Sequence, residues 1–353
     1  MRLRDCKQKI CPSVNGTQLL KSGMRILRLS LSVALSALFV ALGWTVNAAE
    51  PAVAPARRIV ITVDDIPGRL EKPALRQFQD INRRIVRALK AEKVPAIGFV
   101  NERFLQIDGE RDARVGILRT WVDGGLTLGN HLYRHLSLSR TPLVKYQADV
   151  LRGEVLTRQV LADKNLPLVY FRHPFLHAGP TKEIKQGFEK FLAEHGYKVA
   201  PATFDHSDWV FTRVYESARA TRDRKLEKRT RETFLAYFEA TCAHFEQVSD
   251  ELFGRQIPQI LVTHANRINA DLMPEWLKLL RARGYTFISL DEALADPAYA
   301  SPDGYIGPDG VSWMDRWSLG LKKPLKRRPA PEVPDDIQAR YDVIAEKAPE
   351  INE

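Results

Sequence analysis

The sequence predicts an α/β fold built on a parallel sheet, and three observations carry that prediction. First, seven apolar, β-branched runs of strand length alternate with helical stretches over residues 57–296. Strict alternation calls for parallel strands joined by right-handed crossovers. Second, polar residues gather at the C-terminal ends of these runs: Asp64, Asp65, His131, Arg172, Asp205, Asp208 and His264. Ligands of parallel sheets sit at those ends, and polar groups from five separate strands fit a closed barrel better than the single switch point of an open sheet. Third, 353 residues, 44% hydrophobic and 27% charged, suffice for one large α/β domain or two smaller ones.

Each element has its own signal. Arg57 to Val63 is a continuous β-branched run, ended by Asp64-Asp65-Ile66-Pro67-Gly68. A helix is expected from about Pro73 to Glu92, with proline in its opening turn. Ala96 to Val100 is the second strand, and a helix over Arg111 to Val122 is stopped by Gly124-Gly125. Leu126 to Leu128 leads to Gly129, and one helix is expected from Pro142 to Asp163. The strand Leu168 to Arg172, the helix Thr181 to His195 with its closing Gly196, and the strand Tyr197 to Phe204 follow. Gln259 to Thr263, a helix from Met273 to Arg283 and the strand Tyr285 to Leu290 complete the pattern.

Two segments depart from it. Between the fifth and sixth strands lies a helical insertion, about 212–256, charged at first (Arg222 to Arg231) and then amphipathic; its charges read as a solvated face and His244 as structural. Beyond residue 296 a C-terminal extension, 297–353, holds loops, Trp313 and Trp317 in an expected packing role, a basic proline-rich stretch and a short helix from Ile337 to Ala348.

The formal charge of +10 is concentrated at the N-terminus, where residues 1–49 hold seven bases and one acid. The remainder carries 46 basic and 42 acidic residues, a net of +4, with no basic stripe that would suggest nucleic acid. Met24 to Arg28 is a short basic region, Leu29 to Leu42 is apolar and uncharged, and Val46-Asn47-Ala48 has the small-residue pattern of a signal-peptidase site. We therefore expect a signal peptide over 1–49, a spacer over 50–56 and an exported, periplasmic or secreted, protein. Membrane contact would come only through this segment, should it stay as an uncleaved anchor. Met24 heads a better signal peptide than Met1, so residues 1–23 read as lying upstream of the start. Cys6 and Cys11 go with the segment, leaving Cys242 as a small buried hydrophobe.

The chemistry begins at Gly129-Asn130-His131-Leu132-Tyr133-Arg134-His135. Two imidazoles four residues apart become neighbours if the chain turns into a helix after Gly129, and can then face one divalent ion. The spacing alone is a weak signal. Asp64 and Asp65 are adjacent, and adjacent strand residues point to opposite faces, so both can serve one site only if the chain is leaving the strand there. Taken alone, they could equally cap a turn. With a carboxylate as third ligand, an ion would lower the pKa of a bound water and the other carboxylate could take its proton.

Five segments in order resemble the signature of the polysaccharide deacetylases, carbohydrate esterase family 4: Thr62-Val63-Asp64-Asp65; Gly129-Asn130-His131 with His135; Arg172-His173-Pro174-Phe175; Asp205-His206-Ser207-Asp208-Trp209; and Leu261-Val262-Thr263-His264. The resemblance spans 57–296. It implies a distorted (β/α)7-type barrel, and one divalent ion, Zn²⁺ or Co²⁺, held by Asp65, His131 and His135. It implies Asp64 as general base, kept ionised and oriented by Arg172, and His264 as general acid, oriented by Asp208. Phe175 would offer a backbone N–H to the oxyanion, and Trp209 would form a wall of the sugar groove. The implied reaction is hydrolysis of an N-acetyl amide or O-acetyl ester on a glycan.

Val63 stands where the family commonly has Phe, and His173 and Phe175 where Pro and Tyr are usual. His173 could touch substrate, carry a proton or simply pack, and packing is the default; Tyr133 and Arg134 read as outward-facing. Two other readings stay open: a relative acting on a non-polymeric amide, such as a formamido sugar-lipid or small cyclic amide, and an inactive glycan-binding protein.

Overall fold

The computed structural model describes residues 57–69, 74–326 and 330–347, so the expected signal peptide and the spacer lie outside the described residues. The strands are β1 (Arg57–Ile66), β2 (Ile97–Val100), β3 (Thr127–Asn130), β4 (Tyr170–Phe171), β5 (Lys198–Val199), β6 (Phe204–Asp205), β7 (Gln259–His264) and β8 (Tyr285–Phe287). Every pairing is parallel. The neighbours run β5-β4-β3-β2-β1-β7-β6, with β8 added against the start of β1.

The expected fifth strand, 197–204, is broken in two. Its first half pairs with β4 and its second with β7. Between them Ala200 N–H donates to Phe171 O at 2.8 Å and Thr203 N–H to Ile260 O at 3.1 Å. One short segment thus touches both ends of the curled sheet, with Pro201 at the break. Proline cannot donate to a ladder, which is why a continuous strand fails there. The result is a curled parallel half-barrel of seven strand positions, as the alternation predicts.

Eleven helices are found among the described residues: α1 (Leu75–Ala91), α2 (Arg111–Asp123), α3 (Leu143–Arg152), α4 (Val155–Ala162), α5 (Lys182–Glu194), α6 (Asp208–Ala220), α7 (Arg224–Phe253), α8 (Arg267–Ala282), α9 (Leu290–Leu294), α10 (Trp313–Gly320) and α11 (Asp335–Lys347). The single helix expected over 142–163 is two, parted at Gly153-Glu154. α8 starts six residues earlier than anticipated because Asn266 caps it, accepting from Asn269 N–H. The insertion is the pair α6 and α7, which lays Phe211, Phe234, Phe238 and Cys242 into the core. His244 is buried beside Phe245, and Trp313 and Trp317 are buried too. No helix among the described residues is long and apolar enough to cross a membrane.

Candidate functional site

β1 supplies both carboxylates. Asp64 is the register partner of His264 on β7, so the two side chains leave the sheet on one face. Asp65 should point the opposite way, but its φ is 65° and the pairing with β2 slips between Val63 and Ile66. This bulge, rather than an exit from the strand, turns both carboxylates into one cavity. The amide of Asn82 on α1 holds the following turn, donating to Pro67 O at 2.7 Å while its oxygen accepts from the Trp121 indole at 2.9 Å.

His131 and His135 do not meet on a helix. β3 ends at Asn130 and residues 131–135 form an irregular loop, with Leu132 at φ 69° and His135 at φ 61°. Two non-glycine residues in the left-handed region cost about 1–3 kcal/mol each and need outside support. Asn130 Oδ1 accepts from Leu132 N–H at 2.8 Å, Asp149 Oδ2 from Arg134 N–H at 2.9 Å, and Asp149 O from Tyr133 N–H at 3.1 Å. The Asn101 amide donates to His131 O. The loop rests directly on Gly153, where a Cβ would stand 2.4 Å from Tyr133 N. Arg134 faces outward as expected, but Tyr133 is buried, because the loop tucks its ring under the Arg152 guanidinium at 3.8 Å.

Asp65 Oδ1 lies 3.4 Å from His135 Nε2 and 3.7 Å from His131 Nε2. The three ligand atoms fall within 4.8 Å of one another, and all three residues are buried. His131 Nδ1 donates to Arg172 O at 2.9 Å, which leaves the Nε2 lone pair facing Asp65. Burial holds both imidazoles well below their usual pKa, helped at His135 by the charge of Arg69. Two neutral imidazoles and a carboxylate are a donor set that fits a first-row divalent ion.

Asp64 is 3% exposed, and its Oδ2 stands 3.9 Å from His131 Nε2. Burial pushes its carboxyl up to about 6, against the downward pull of Arg172 and His264. The resemblance implies that Arg172 keeps this group ionised and oriented. Its Nε is 3.9 Å from Asp64 Oδ2, too far for a hydrogen bond, while its Nη2 donates to Thr62 Oγ1 at 2.8 Å and its guanidinium lies 5.0 Å from the Phe99 ring centre. Desolvation therefore outweighs the cation.

Across the cavity, His264 Nδ1 donates to Asp208 Oδ1 at 2.6 Å. Asp208 Oδ2 accepts from His264 N–H, Thr263 Oγ1, Asn266 Nδ2 and Asn269 Nδ2. Asp208 also opens α6, where the helix dipole favours negative charge. Burial works against its charge, but the His264 imidazolium and these donors win and hold it well below the usual range. Burial likewise opposes the charge on His264, but Asp208 raises its pKa to about 10.

Phe175 (φ 56°) packs edge-on to the His135 ring at 4.5 Å. Trp209 stands on the first turn of α6, 40% exposed. His173 is 3% exposed and packs against Phe171 and Phe188, with ring centres 5.2 and 5.4 Å away. Burial holds it neutral, with its pKa down at about 3. A cavity of about 540 Å³ joins these side chains, from Asp64, Asp65, His131 and His135 to His264, Phe175 and Trp209.

Several lining residues escape a reading of the sequence, Arg69 and Tyr341 among them. Arg69, in the loop after β1, has Nη1 2.9 Å from His135 Nδ1 and its guanidinium 5.8 Å from the Phe175 ring centre. Tyr341 reaches the cavity from α11. No motif marks either one.

The family model for polysaccharide deacetylase matches residues 52–200. Among curated proteins, none matches the sequence. Several solved structures are similar. A family 4 carbohydrate esterase from Streptomyces lividans is 15% identical, with 67% of this chain and 95% of that one covered at a TM-score of 0.42. A family 4 carbohydrate esterase from Bacillus subtilis is 16% identical, over 68% and 81% of the two chains, at 0.43. A family pseudoenzyme from Bacillus anthracis is 15% identical, over 68% and 66%, at 0.46. The matched span 52–200 carries Asp64, Asp65, His131, His135 and Arg172, so this part of the chain is similar to the polysaccharide deacetylases.

Proposed function

We propose that the protein is an exported, metal-dependent hydrolase that removes N-acetyl, or O-acetyl, groups from a cell-envelope or extracellular polysaccharide. The observation that carries this reading is the placement of an ionisable base, an ionisable acid and a three-residue metal-ligand group around one cavity.

Asp65, His131 and His135 would hold one divalent ion, Zn²⁺ with Co²⁺ as its substitute, and the ion would supply Lewis acidity toward water and toward a carbonyl oxygen. Asp64 accepts the proton of the attacking water, and burial makes it a stronger base than an exposed carboxylate. His264 carries a proton across neutral pH because Asp208 stabilises the imidazolium, and it delivers that proton to the leaving nitrogen. An amine leaves poorly unless protonated, so the acid matters more for amides than for esters. Arg172 orients the Asp64 side of the site, and the backbone N–H of Phe175 helps the oxyanion. An inactive glycan-binding protein would have no need of this paired acid and base, and the full set is retained here.

The test is acetate release from chitin oligomers, peptidoglycan fragments, poly-N-acetylglucosamine and acetylxylan, with and without a chelator. Release that stops on chelation and returns with Zn²⁺ supports the reading. Release that ignores chelation overturns it.

A further inference from the structure

The C-terminal extension lies beyond the span that the family model matches, yet one of its side chains lines the cavity. Helix α11 is docked firmly. Ile337 is fully buried, Arg229 pairs with Asp336 at 3.3 Å, and Tyr237 Oη donates to Pro331 O at 3.2 Å. One turn after Ile337, Tyr341 meets Trp209 edge-on, with ring centres 5.3 Å apart at 81°. Trp209 in turn begins a face of α6 that continues through Thr212, Arg213 and Glu216, and all four line the cavity. Positions i, i+3, i+4 and i+7 share one side of a helix, so this wall is about 10 Å long.

The wall has the chemistry of a sugar site. Two aromatic rings offer flat apolar surface to the C–H face of a pyranose, and an arginine and a carboxylate beside them can bond its hydroxyls. We propose that α11 is part of the substrate site: Tyr341 and Trp209 form an aromatic subsite for the sugar that adjoins the one being deacylated, with Arg213 and Glu216 bonding that neighbour's hydroxyls. The proposal rests on the deacetylase reading for its substrate class. It makes the extension a determinant of which glycan is taken.

The experiment uses the full-length, zinc-loaded protein, the N-acetylglucosamine tetramer and 4-nitrophenyl acetate, a small ester that cannot reach the second subsite. Tetramer binding is followed by tryptophan fluorescence independently of turnover. In Tyr341→Ala, tetramer affinity should fall about tenfold and KM rise to match, with kcat within about twofold and ester hydrolysis unchanged. Tyr341→Phe, which keeps the ring, should restore wild-type behaviour. Should Tyr341→Ala not fold, Tyr341→Leu keeps the bulk without the flat face and should show the same KM rise. Unchanged tetramer affinity, or equal losses on tetramer and ester, overturns the proposal. A wild type that binds tetramer but releases no acetate overturns the deacetylase reading instead, and the Tyr341 comparison then stands on binding. A wild type that binds no tetramer overturns the subsite.

Discussion

Asp64 and His264 are register partners on neighbouring parallel strands. Paired strands lie about 4.8 Å apart, so this register puts a carboxylate and an imidazole side by side on one face of the sheet. The backbone reinforces the pairing, since Ala265 N–H donates to Asp64 O at 2.9 Å. What distinguishes the two groups is environment: burial raises Asp64, and Asp208 raises His264.

That arrangement predicts a bell-shaped pH profile. Asp64 works when ionised, so kcat/KM rises as pH climbs through its pKa, at or below about 6. His264 works when protonated, so kcat/KM falls as pH climbs through its pKa, at or below about 10. A bound divalent ion pulls both limbs down in pH. Asp64→Asn should lower kcat by about 10²–10⁴-fold and abolish the acid limb, while keeping one metal ion per chain by elemental analysis. Full activity in this variant would remove Asp64 from its role.

Asp208→Asn keeps the shape of the side chain and removes its charge. His264 should then titrate near or below its ordinary value, and the alkaline limb should move down by two or more pH units. Activity on amides should fall by about 10²–10⁴-fold, and activity on esters by less. Stability carries the same signature. A histidine whose folded pKa is raised to about 10 stabilises the fold fully below about 6.5, and that contribution fades as pH rises toward 10. Thermal melting of the wild type should decline over this window, and the Asp208→Asn protein should lack that decline.

Arg69 places a cation against a candidate metal ligand, with Nη1 2.9 Å from His135 Nδ1. The like charge of a divalent ion makes this contact unfavourable for metal binding. Arg69→Met should therefore tighten Zn²⁺ binding, by about tenfold, equivalent to about 1.4 kcal/mol. Competition titration with a chromogenic chelator reads this directly. Weaker binding in the variant would show instead that Arg69 supports the position of His135.

Much of this architecture could be read in the sequence, and the exceptions have physical causes. The strands and the residues at their ends were legible because β-branched runs and polar stops are local patterns. The broken fifth strand was not, because the run 197–204 looks continuous until each half finds a different neighbour. The loop at 131–135 was not legible either: His-x-x-x-His spacing would suit a helix, and the chain forms none there. Its real geometry depends on Asp149, Asn101 and Gly153, all distant in sequence. Arg69 and Tyr341 carry no motif at all; only tertiary packing brings them to the cavity. The Asp64-Asp65 pair lay between these cases: the sequence showed that a turn of the backbone was needed, and the structure supplies it as a bulge.

Gly153 gives the sharpest test of how the ligand loop is held. Its φ of −88° is open to any residue, so a substitution there meets no backbone penalty. The obstacle is steric, since an added Cβ would lie 2.4 Å from Tyr133 N and 2.5 Å from Leu132 C. Both atoms belong to backbone between the two histidines, and neither can yield without moving the loop. Gly153→Ala should destabilise the protein by about 1–3 kcal/mol, as overpacking does. It should also weaken Zn²⁺ binding at least tenfold, because pushing on Leu132 and Tyr133 separates His131 from His135. Gly196→Ala is the matched control: its φ of +74° strains alanine, but its Cβ would meet nothing within 4 Å. That variant should lose stability and keep its metal affinity. Equal metal affinity in the two variants would mean that the loop holds its shape without Gly153.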